Sequence, residues 1–308
     1  MSDTIAQEER PLKLPYRNQF KGARVLNRLP AGVQERPYTL FVVKPLGPLI
    51  GAEITGIDLS EPIGPEIKAE LNRALLEWKV IFFRNQRITT EQQLAFGKLW
   101  GELETHPFSP RGAHDEIVRL AKDEKEAGKE NSWHADVTWR PNPALGTVLR
   151  LIEVPAHGGD TLFADMGAAY DNLADDVKAQ IDGLKAYHDF THVFGSRLSP
   201  ERLAAYQQQF PPAAHPVVRT HPETGRKLLF VNSSFTTRIV GWEPEASERL
   251  LQHLFQQAAV PEYQVRFRWE ADSIAFWDNR ATQHYAVSDY YPHRRVAERV
   301  AIVGDRPY

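Results

Sequence analysis

The sequence predicts a mainly β fold, a sandwich or jelly roll of short strands with helices packed outside it. Short runs rich in β-branched and aromatic residues recur along the chain. Helical stretches are grouped before and between these runs and do not alternate with them one by one, which disfavours a parallel, doubly wound sheet. There is no internal repeat and no GxGxxG loop, so a dinucleotide-binding domain is not indicated.

Composition narrows the function classes. The chain has 308 residues and a formal net charge of -3 without a long basic run, so nucleic acid is not expected as a partner. It has no cysteine, which excludes cysteine nucleophiles, thiolate metal sites and disulfides. The N-terminus lacks the apolar core of a secretory signal, and no stretch approaches the roughly 18 apolar residues that span a bilayer. We therefore expect a soluble, cytoplasmic protein with no membrane partner.

Two regions are indicated. Residues 1–37 are polar, charged and interrupted by proline, which is typical of a mobile or draped arm. Residues 38–308 carry the strand and helix patterns and are predicted to form a single domain.

Helices are predicted from apolar periodicity and from their start signals. In "GPEIKAELNRALLEWKV", Ile67, Leu71, Leu75 and Trp78 fall on one helical face. "TTEQQLAFGKLWGEL" begins with a capping-box pattern from Thr90 to Gln93. Two further helices are predicted from about residue 166 to residue 184 and in "SERLLQHLFQQAAV".

Strands are predicted where apolar, β-branched runs are short. In chain order these are "YTLFVVKPLG" with a break at Pro45, "VIFFRNQ", "SWHADVTW", "LGTVLRLIEV", "GGDTLFADM", part of "KLLFVNSSFTTRIVG", "QVRFRWE", "SIAFWDN", "TQHYAVSD" and "RRVAERVAIVGD".

The first candidate site lies in "HADVTW". On a strand, alternate side chains share a face, so His134, Asp136 and Thr138 would point the same way. An imidazole and a carboxylate so placed can chelate one ion and supply two members of a 2-His-1-carboxylate triad, which favours non-haem Fe(II). With 11 histidines in the chain, roughly 0.7 HxD matches arise by chance, so this pair alone does not distinguish a metal site from an ordinary half-buried strand.

A third ligand has to come from another strand. His284 in "TQHYAV" is the candidate, and the alternative for it is a hydrogen-bonded histidine beside the acidic "WDN" turn.

Two arginines then follow on one strand. Arg295 and Arg299 share a face with Ala297 and Ala301 between and beyond them. Buried guanidinium groups require anions and hold carboxylates or sulfonates through two parallel hydrogen bonds. The strand therefore indicates two anion sites, and the alternative is a pair of surface salt bridges.

Four motifs of the chain together resemble those of a known enzyme family. "WHADVTW", "GGDTLFADM", "LFVNSSFTTRIVG" and "WDNRATQHYAVSDYYPHRR" resemble the taurine dioxygenase (TauD/TfdA) branch of the Fe(II)/2-oxoglutarate-dependent dioxygenases, whose relatives include 2,4-D dioxygenase and alkylsulfatases. The resemblance covers residues from about 38 to the C-terminus. It implies a double-stranded β-helix, a cupin-like jelly roll with helices outside, and often a homo-oligomer, either a dimer or a tetramer.

The resemblance also implies roles for particular residues. His134, Asp136 and His284 would ligate Fe(II) and serve as the catalytic centre. Arg295 would hold the distal carboxylate of 2-oxoglutarate, and Thr161 in "GGDT" would add a hydroxyl donor.

Four residues are implied for the substrate. Arg299 and His106 would bind its anionic group, and Phe235 would supply a pocket aromatic. The taurine enzyme has an asparagine four residues before its first iron ligand, whereas this chain has Glu130 there with Asn131 beside it, so Asn131 is the fourth candidate. The taurine enzyme also has a tyrosine three residues after the histidine that matches His106, where this chain has Ser109.

The implied reaction is hydroxylation of a small anionic organic substrate, with 2-oxoglutarate and O2 as cosubstrates and succinate and CO2 as products. An alkyl sulfonate or alkyl sulfate is the leading substrate, and would yield sulfite or sulfate plus an aldehyde. A carboxylate substrate is the alternative. Two more distant alternatives are a jelly-roll module that binds metal without turnover and a zinc hydrolase that uses the same three ligands.

Overall fold

The computed structural model describes residues 22–108 and 114–308, and within them the helices and strands follow the predicted order in most places. The helices are α1 Pro65–Trp78, α2 Thr90–Lys98, α3 Met166–Asp171, α4 Asp175–Ile181, α5 Thr191–Phe194, α6 Pro200–Gln209 and α7 Pro244–Phe255. The strands are β1 Val42–Pro45, β2 Ala52–Thr55, β3 Val80–Phe83, β4 Val118–Lys122, β5 Ala144–Glu153, β6 Thr161–Asp165, β7 Lys185–His188, β8 Ala213–Pro216, β9 Val218–Thr220, β10 Lys227–Leu229, β11 Thr236–Ile239, β12 Gln264–Phe267, β13 Ile274–Asp278, β14 Thr282–Ala286 and β15 Arg295–Val303.

The architecture is the predicted jelly roll. A seven-stranded sheet has the order β1-β2-β3-β13-β5-β15-β4, and a three-stranded sheet has the order β12-β6-β14. Only the β2–β3 pairing in the large sheet is parallel among the described strands. A second three-stranded sheet, β11-β7-β8, and the β9–β10 hairpin flank this core.

The large sheet is covered on both faces. On one face, Phe82 and Trp277 pack with Phe163 and Phe267 of the small sheet, and the Phe82 and Phe267 rings stack 3.8 Å apart. On the other face, α1 and α2 cover alternate residues of the same strands, such as Phe83. Burial on both faces explains why β3 reads as an unbroken apolar run rather than as an alternating strand.

Two predictions on helices need correction, and two helices were missed. The capping box of α2 is formed by Thr89 and Gln92, one residue earlier than predicted, because the Thr89 hydroxyl accepts from the Gln92 amide. The single helix predicted over residues 166–184 is two helices, α3 and α4, with Asn172 ending the first. Helices α5 and α6 were not predicted from the sequence.

Part of the proposed arm lies on the domain. Arg28 pairs with Glu77 at 3.2 Å and its guanidinium lies 4.3 Å from the centre of the Trp78 ring, while Lys79 donates to the Arg28 carbonyl at 2.8 Å. The segment thus packs on the end of α1 through Arg28 and on the end of α3 through Val25, which exchanges hydrogen bonds with Asn172. Residues 1–21 lie outside the described residues. No helix in the described ranges is long and apolar enough to cross a membrane.

Close packing of the large sheet makes Gly146 of β5 a sensitive position. A Cβ atom there would lie 2.7 Å from the Trp277 carbonyl oxygen and 2.9 Å from the Phe276 ring. We expect Gly146→Ala to lower the free energy of unfolding by about 1–3 kcal/mol through overpacking, as measured by chemical denaturation. Gly47→Ala is the matched control, because its Cβ would meet only the Ile50 carbonyl at 3.6 Å. Equal stability of the two variants would contradict this account.

Candidate active site

A cavity of about 430 Å³ opens between the large and small sheets, a volume suited to a small organic ligand. Its walls come from β4, β5, β13 and β15 of the large sheet, from β6 and β14 of the small sheet, and from two segments around residues 106–108 and 193–202. Of the nine site residues proposed from sequence, all but Asn131 line it. They are His106, His134, Asp136, Thr161, Phe235, His284, Arg295 and Arg299.

The two histidines are brought together by backbone pairing. His134 and His284 form an isolated antiparallel bridge in which each amide donates to the carbonyl of the other, at 3.1 Å and 2.8 Å. Their rings lie side by side with centroids 4.1 Å apart. The bridge places residues separated by 150 positions in the sequence on the same wall of the cavity.

The orientation of His134 suits a metal ligand. Its Nδ1 hydrogen-bonds to the Ser132 carbonyl at 2.9 Å, so the neutral ring carries its proton there and leaves the Nε2 lone pair free. Nε2 lies 4.0 Å from Asp136 Oδ1.

The prediction that "HADVTW" is a strand is wrong. After His134 the chain turns, and Val137 has a φ of 49°, a left-handed conformation that β-branched residues rarely adopt. The turn is held from outside, because the buried Thr138 hydroxyl contacts both His188 Nδ1 and Asn232 Nδ2. Asp136 therefore reaches the histidines from a turn, and not through the shared face of a strand.

Asn279 holds the backbone of Asp136. Its side-chain oxygen accepts from the Asp136 amide at 2.7 Å, and its Nδ2 donates to the carbonyls of Asp136 and Ala144 at 3.0 Å and 3.1 Å. Asn279 is fully buried at the end of β13. Asn279 lies within the "WDNRATQHYAVSDYYPHRR" motif, but no sequence pattern indicated its role.

The Asp136 carboxylate is buried and stabilised as an anion. Arg299 Nη1 donates to Oδ1 at 2.7 Å, and the Thr147 hydroxyl donates to Oδ2 at 2.8 Å. Burial alone would raise the pKa of Asp136, but the Arg299 guanidinium, the two imidazoles and the Thr147 hydroxyl outweigh it and hold that pKa well below its usual range. Burial, reinforced by His134, lowers the pKa of His284 to about 3.

This donor set fits a divalent metal ion. One ligand atom from each of His134, Asp136 and His284 lies within 4.8 Å of the others. The carboxylate is ionised and the His284 imidazole is neutral, which are the protonation states that metal binding requires. Two nitrogens and one oxygen without sulfur favour iron or zinc over soft metals.

Arg295 is a buried cation in the same cavity. Its Nε donates to the Gly159 carbonyl at 3.2 Å, and it forms no ion pair with a carboxylate of the described residues. Gly158 and Gly159 have φ of 75° and 72°, and a Cβ on Gly159 would lie 3.1 Å from Arg295 Cδ, so the "GGD" loop needs glycine in order to fold around the arginine. The Thr161 side chain, two residues further on, is buried and borders the cavity beside it.

His106 complements Arg299 as a neutral donor. Burial, reinforced by Arg299, lowers the pKa of His106 to about 3. Its Nδ1 accepts from the Phe108 amide at 3.3 Å, so the proton of the neutral ring is on Nε2. His106 and Arg299 border the same part of the cavity, so an anion there would lie near a guanidinium and a neutral imidazole.

An aromatic wall continues from these groups. Phe194 lies 5.6 Å from His106, 4.6 Å from Phe108 and 6.3 Å from Phe235, measured between ring centroids. Phe235 lies 6.2 Å from His134. Phe194 belongs to α5, and no sequence pattern indicated its role.

The remaining sequence positions are placed as follows. Asn131 is exposed and does not line the cavity, whereas Glu130 and Ser132 do. Ser109 lies outside the described residues. Residues 121–130 form the charged segment "AKDEKEAGKE". Lys122, where β4 ends, and Lys129 and Glu130, at the far end of the segment, border the cavity.

Comparisons with known proteins match most of the chain to one family of dioxygenases. The family described as "Taurine catabolism dioxygenase TauD, TfdA family" matches residues 42–301. An alpha-ketoglutarate-dependent sulfate ester dioxygenase of Pseudomonas putida is 36% identical over 90% of this chain and 94% of its own length. An (S)-phenoxypropionate/alpha-ketoglutarate-dioxygenase of Sphingobium herbicidovorans is 35% identical over 86% of this chain and 96% of its own.

A solved structure shares the fold. The crystal structure of a taurine dioxygenase from Burkholderia xenovorans matches with a TM-score of 0.76 and 39% identity, covering 87% of this chain and 91% of that chain.

The buried histidines predict acid sensitivity. Burial lowers the pKa of His188 well below its usual value and that of His215 to about 4, as it does for His106 and His284. Below pH about 6.5 the unfolded chain binds protons that the folded chain cannot, so stability falls with pH until the folded pKa values are reached. We expect the free energy of unfolding of the metal-free protein to decrease from pH 7 to pH 4.

Replacing one of these histidines tests the cause. His188→Gln should reduce the slope of the free energy of unfolding against pH by up to about 1.4 kcal/mol per pH unit, even if it lowers stability overall. His157→Gln, at an exposed position, is the control and should keep the wild-type slope. An unchanged slope in His188→Gln would rule out this histidine as a contributor.

Proposed function

The chain belongs to the TauD/TfdA dioxygenase family, and from that premise we propose that it is an Fe(II)- and 2-oxoglutarate-dependent dioxygenase that hydroxylates a small organic anion. The observation that carries the proposal is the combination, in one cavity, of a three-ligand metal site with a buried arginine that has no carboxylate partner among the described residues.

His134, Asp136 and His284 would hold the iron. When bound, Fe(II) supplies O2 activation, in which 2-oxoglutarate is oxidised to succinate and CO2 and one oxygen atom enters a substrate C–H bond. Because the protein would supply only three ligands, an ion held there would keep positions for the keto acid and for O2. Asn279 and Thr147 keep Asp136 in place, since they fix its backbone and its second oxygen.

Arg295 and Thr161 would bind the distal carboxylate of 2-oxoglutarate. Because Arg295 Nε is engaged by Gly159, the two terminal nitrogens of the fork remain for a carboxylate. Arg295 is only 8% exposed, so its charge lies in a poorly solvated place where an anion is strongly favoured, and burial lowers the pKa of its guanidinium. A zinc hydrolase with the same three metal ligands would not need a carboxylate-binding site at Arg295 and Thr161.

Arg299 and His106 would bind the anionic group of the substrate. Seven lysine and arginine side chains border the cavity against two acidic ones; the basic residues are Arg119, Lys122, Lys129, Arg197, Arg202, Arg295 and Arg299, and the acidic ones are Glu130 and Asp136. This excess favours anions and speeds their capture. The aromatic wall that begins at Phe194 favours an apolar body behind the anionic group.

An alkyl sulfate or alkyl sulfonate is the substrate class that we propose first. Hydroxylation of the carbon that bears the sulfate oxygen or the sulfonate sulfur gives a product that releases an aldehyde with sulfate or sulfite. A carboxylate is the second candidate, supported by the phenoxypropionate relative, because a guanidinium and an imidazole N–H bind carboxylates equally well.

Anaerobic titration with Fe(II) and 2-oxoglutarate tests the cofactor assignment. We expect a weak visible charge-transfer band for the wild type and none for His134→Ala, since the chelate needs all three ligands. Arg295→Ala should retain metal binding but weaken 2-oxoglutarate by at least about thirtyfold, as expected when a buried charge pair loses one partner.

Arg294→Ala is the matched control for this titration. Arg294 is the neighbouring arginine, but it is exposed and pairs with Glu153 at 2.8 Å, so its loss should leave 2-oxoglutarate affinity unchanged. A well-folded wild type without the band, or equal effects of the two arginine variants, would contradict the proposed function.

A chain-length series tests the substrate class. For linear alkyl sulfates and sulfonates, KM should fall by up to about fourfold per added CH2 until the apolar wall is covered, since burying one CH2 contributes about 0.8 kcal/mol. Phe194→Ala should raise KM for long chains more than for short ones, with succinate and sulfate or sulfite release as readouts. His192→Ala, an exposed position on the same helix, is the control. An equal rise for all chain lengths would show that Phe194 does not contact the alkyl chain.

A further inference from the structure

Trp269 lies behind the proposed 2-oxoglutarate site and does not line the cavity. Its indole Nε1 donates to the Thr161 hydroxyl oxygen at 2.9 Å, and both side chains are buried. This hydrogen bond connects a residue outside the cavity to one that borders it.

The direction of this hydrogen bond has a chemical consequence. An indole N–H can only donate, whereas a hydroxyl can donate or accept. The Thr161 oxygen must therefore accept from Trp269, and the proton of the hydroxyl has to point elsewhere. The described residues provide no acceptor for that proton, and the cavity that Thr161 shares with Arg295 is the open direction.

Trp269 is held rigidly enough to impose this direction. It follows β12 by two residues, and Phe267 at the end of that strand is paired with Thr161 in the sheet. The Trp269 ring packs edge-on against Phe267 at 4.9 Å, and Phe267 stacks on Phe82 at 3.8 Å. The indole cannot turn away without disturbing the core between the two sheets.

We propose that Trp269 is a positioning residue that fixes the Thr161 hydroxyl as a hydrogen-bond donor to the distal carboxylate of 2-oxoglutarate. The inference rests on the proposed function, because it assumes that this carboxylate binds at Arg295 and Thr161. Without the indole N–H, the hydroxyl can rotate and spend part of its time with its oxygen, and not its proton, toward the anion. A chain of two hydrogen bonds that ends on a charge is also stronger than its separate members.

A double-mutant cycle on 2-oxoglutarate affinity tests the inference. The variants are Trp269→Phe, which keeps an aromatic ring and removes the N–H, Thr161→Val, which keeps the shape and removes the hydroxyl, and the two combined. The dissociation constant of 2-oxoglutarate is measured by calorimetry on Mn(II)-loaded protein, without turnover, and each variant is checked by thermal denaturation. Trp78→Phe, in the apolar cluster on the far face of the large sheet, is the matched control.

We expect Thr161→Val to weaken 2-oxoglutarate about tenfold or more, as for loss of a hydrogen bond to a charged group. Trp269→Phe should weaken it roughly threefold or more. In the Thr161→Val background Trp269→Phe should have no further effect, while Mn(II) affinity stays at the wild-type value in all variants.

Two results would overturn the inference in distinguishable ways. If Trp269→Phe leaves the dissociation constant unchanged, or weakens binding equally with and without the Thr161 hydroxyl, Trp269 acts through packing alone and the proposed function stands. If Thr161→Val itself has no effect, the hydroxyl does not bind 2-oxoglutarate, and both the inference and that part of the proposed function fail.

Discussion

The site depends on keeping one carboxylate charged in the space between two sheets. Asp136 is only 3% exposed, and a buried anion is costly unless donors and positive charges surround it. Arg299 supplies the charge, Thr147 supplies a hydroxyl, and Asn279 fixes the backbone on both sides of the Cα. These groups come from β15, β5 and the end of β13, so the position of Asp136 depends on three strands of the large sheet.

A further set of polar contacts holds the end of β13, next to Asn279. Its neighbour Asp278 is buried and accepts from His221 Nε2 at 3.0 Å and from Arg280 at 2.7 Å. The Arg280 guanidinium, together with these hydrogen bonds, holds the pKa of Asp278 well below its usual range despite burial. Arg280 in turn pairs with Glu223 at 2.8 Å. The β9–β10 hairpin is thereby attached to the strand end that positions Asn279. A polar network of this kind restricts the turn at residues 136–139 to one conformation, as precise placement of a metal ligand requires.

The sequence predicted well which residues form the site, because that depends on residue type and spacing. It predicted local conformation poorly where that conformation depends on contacts with distant residues. Strand periodicity on β15 correctly put Arg295 and Arg299 on one face, and two histidines and an aspartate were correctly brought to one site. The local conformation of "HADVTW" was wrong, because alternation of polar and apolar residues is also compatible with a turn that Asn279, 143 residues away, holds in place. Phe194 was missed for a different reason: the helix that carries it has only four residues, which is too short to show a periodic pattern.

The shared use of Arg299 links the metal site to the substrate site. One guanidinium both balances Asp136 and borders the cavity, and its buried Nε has no partner among the described residues. Without a metal ion, most of its charge is compensated by the carboxylate, which leaves little attraction for a second anion. A divalent cation among His134, Asp136 and His284 would reverse this balance, so an anion binds more favourably after the metal than before it. The electrostatics of the site therefore favour an order in which the metal precedes both anionic ligands.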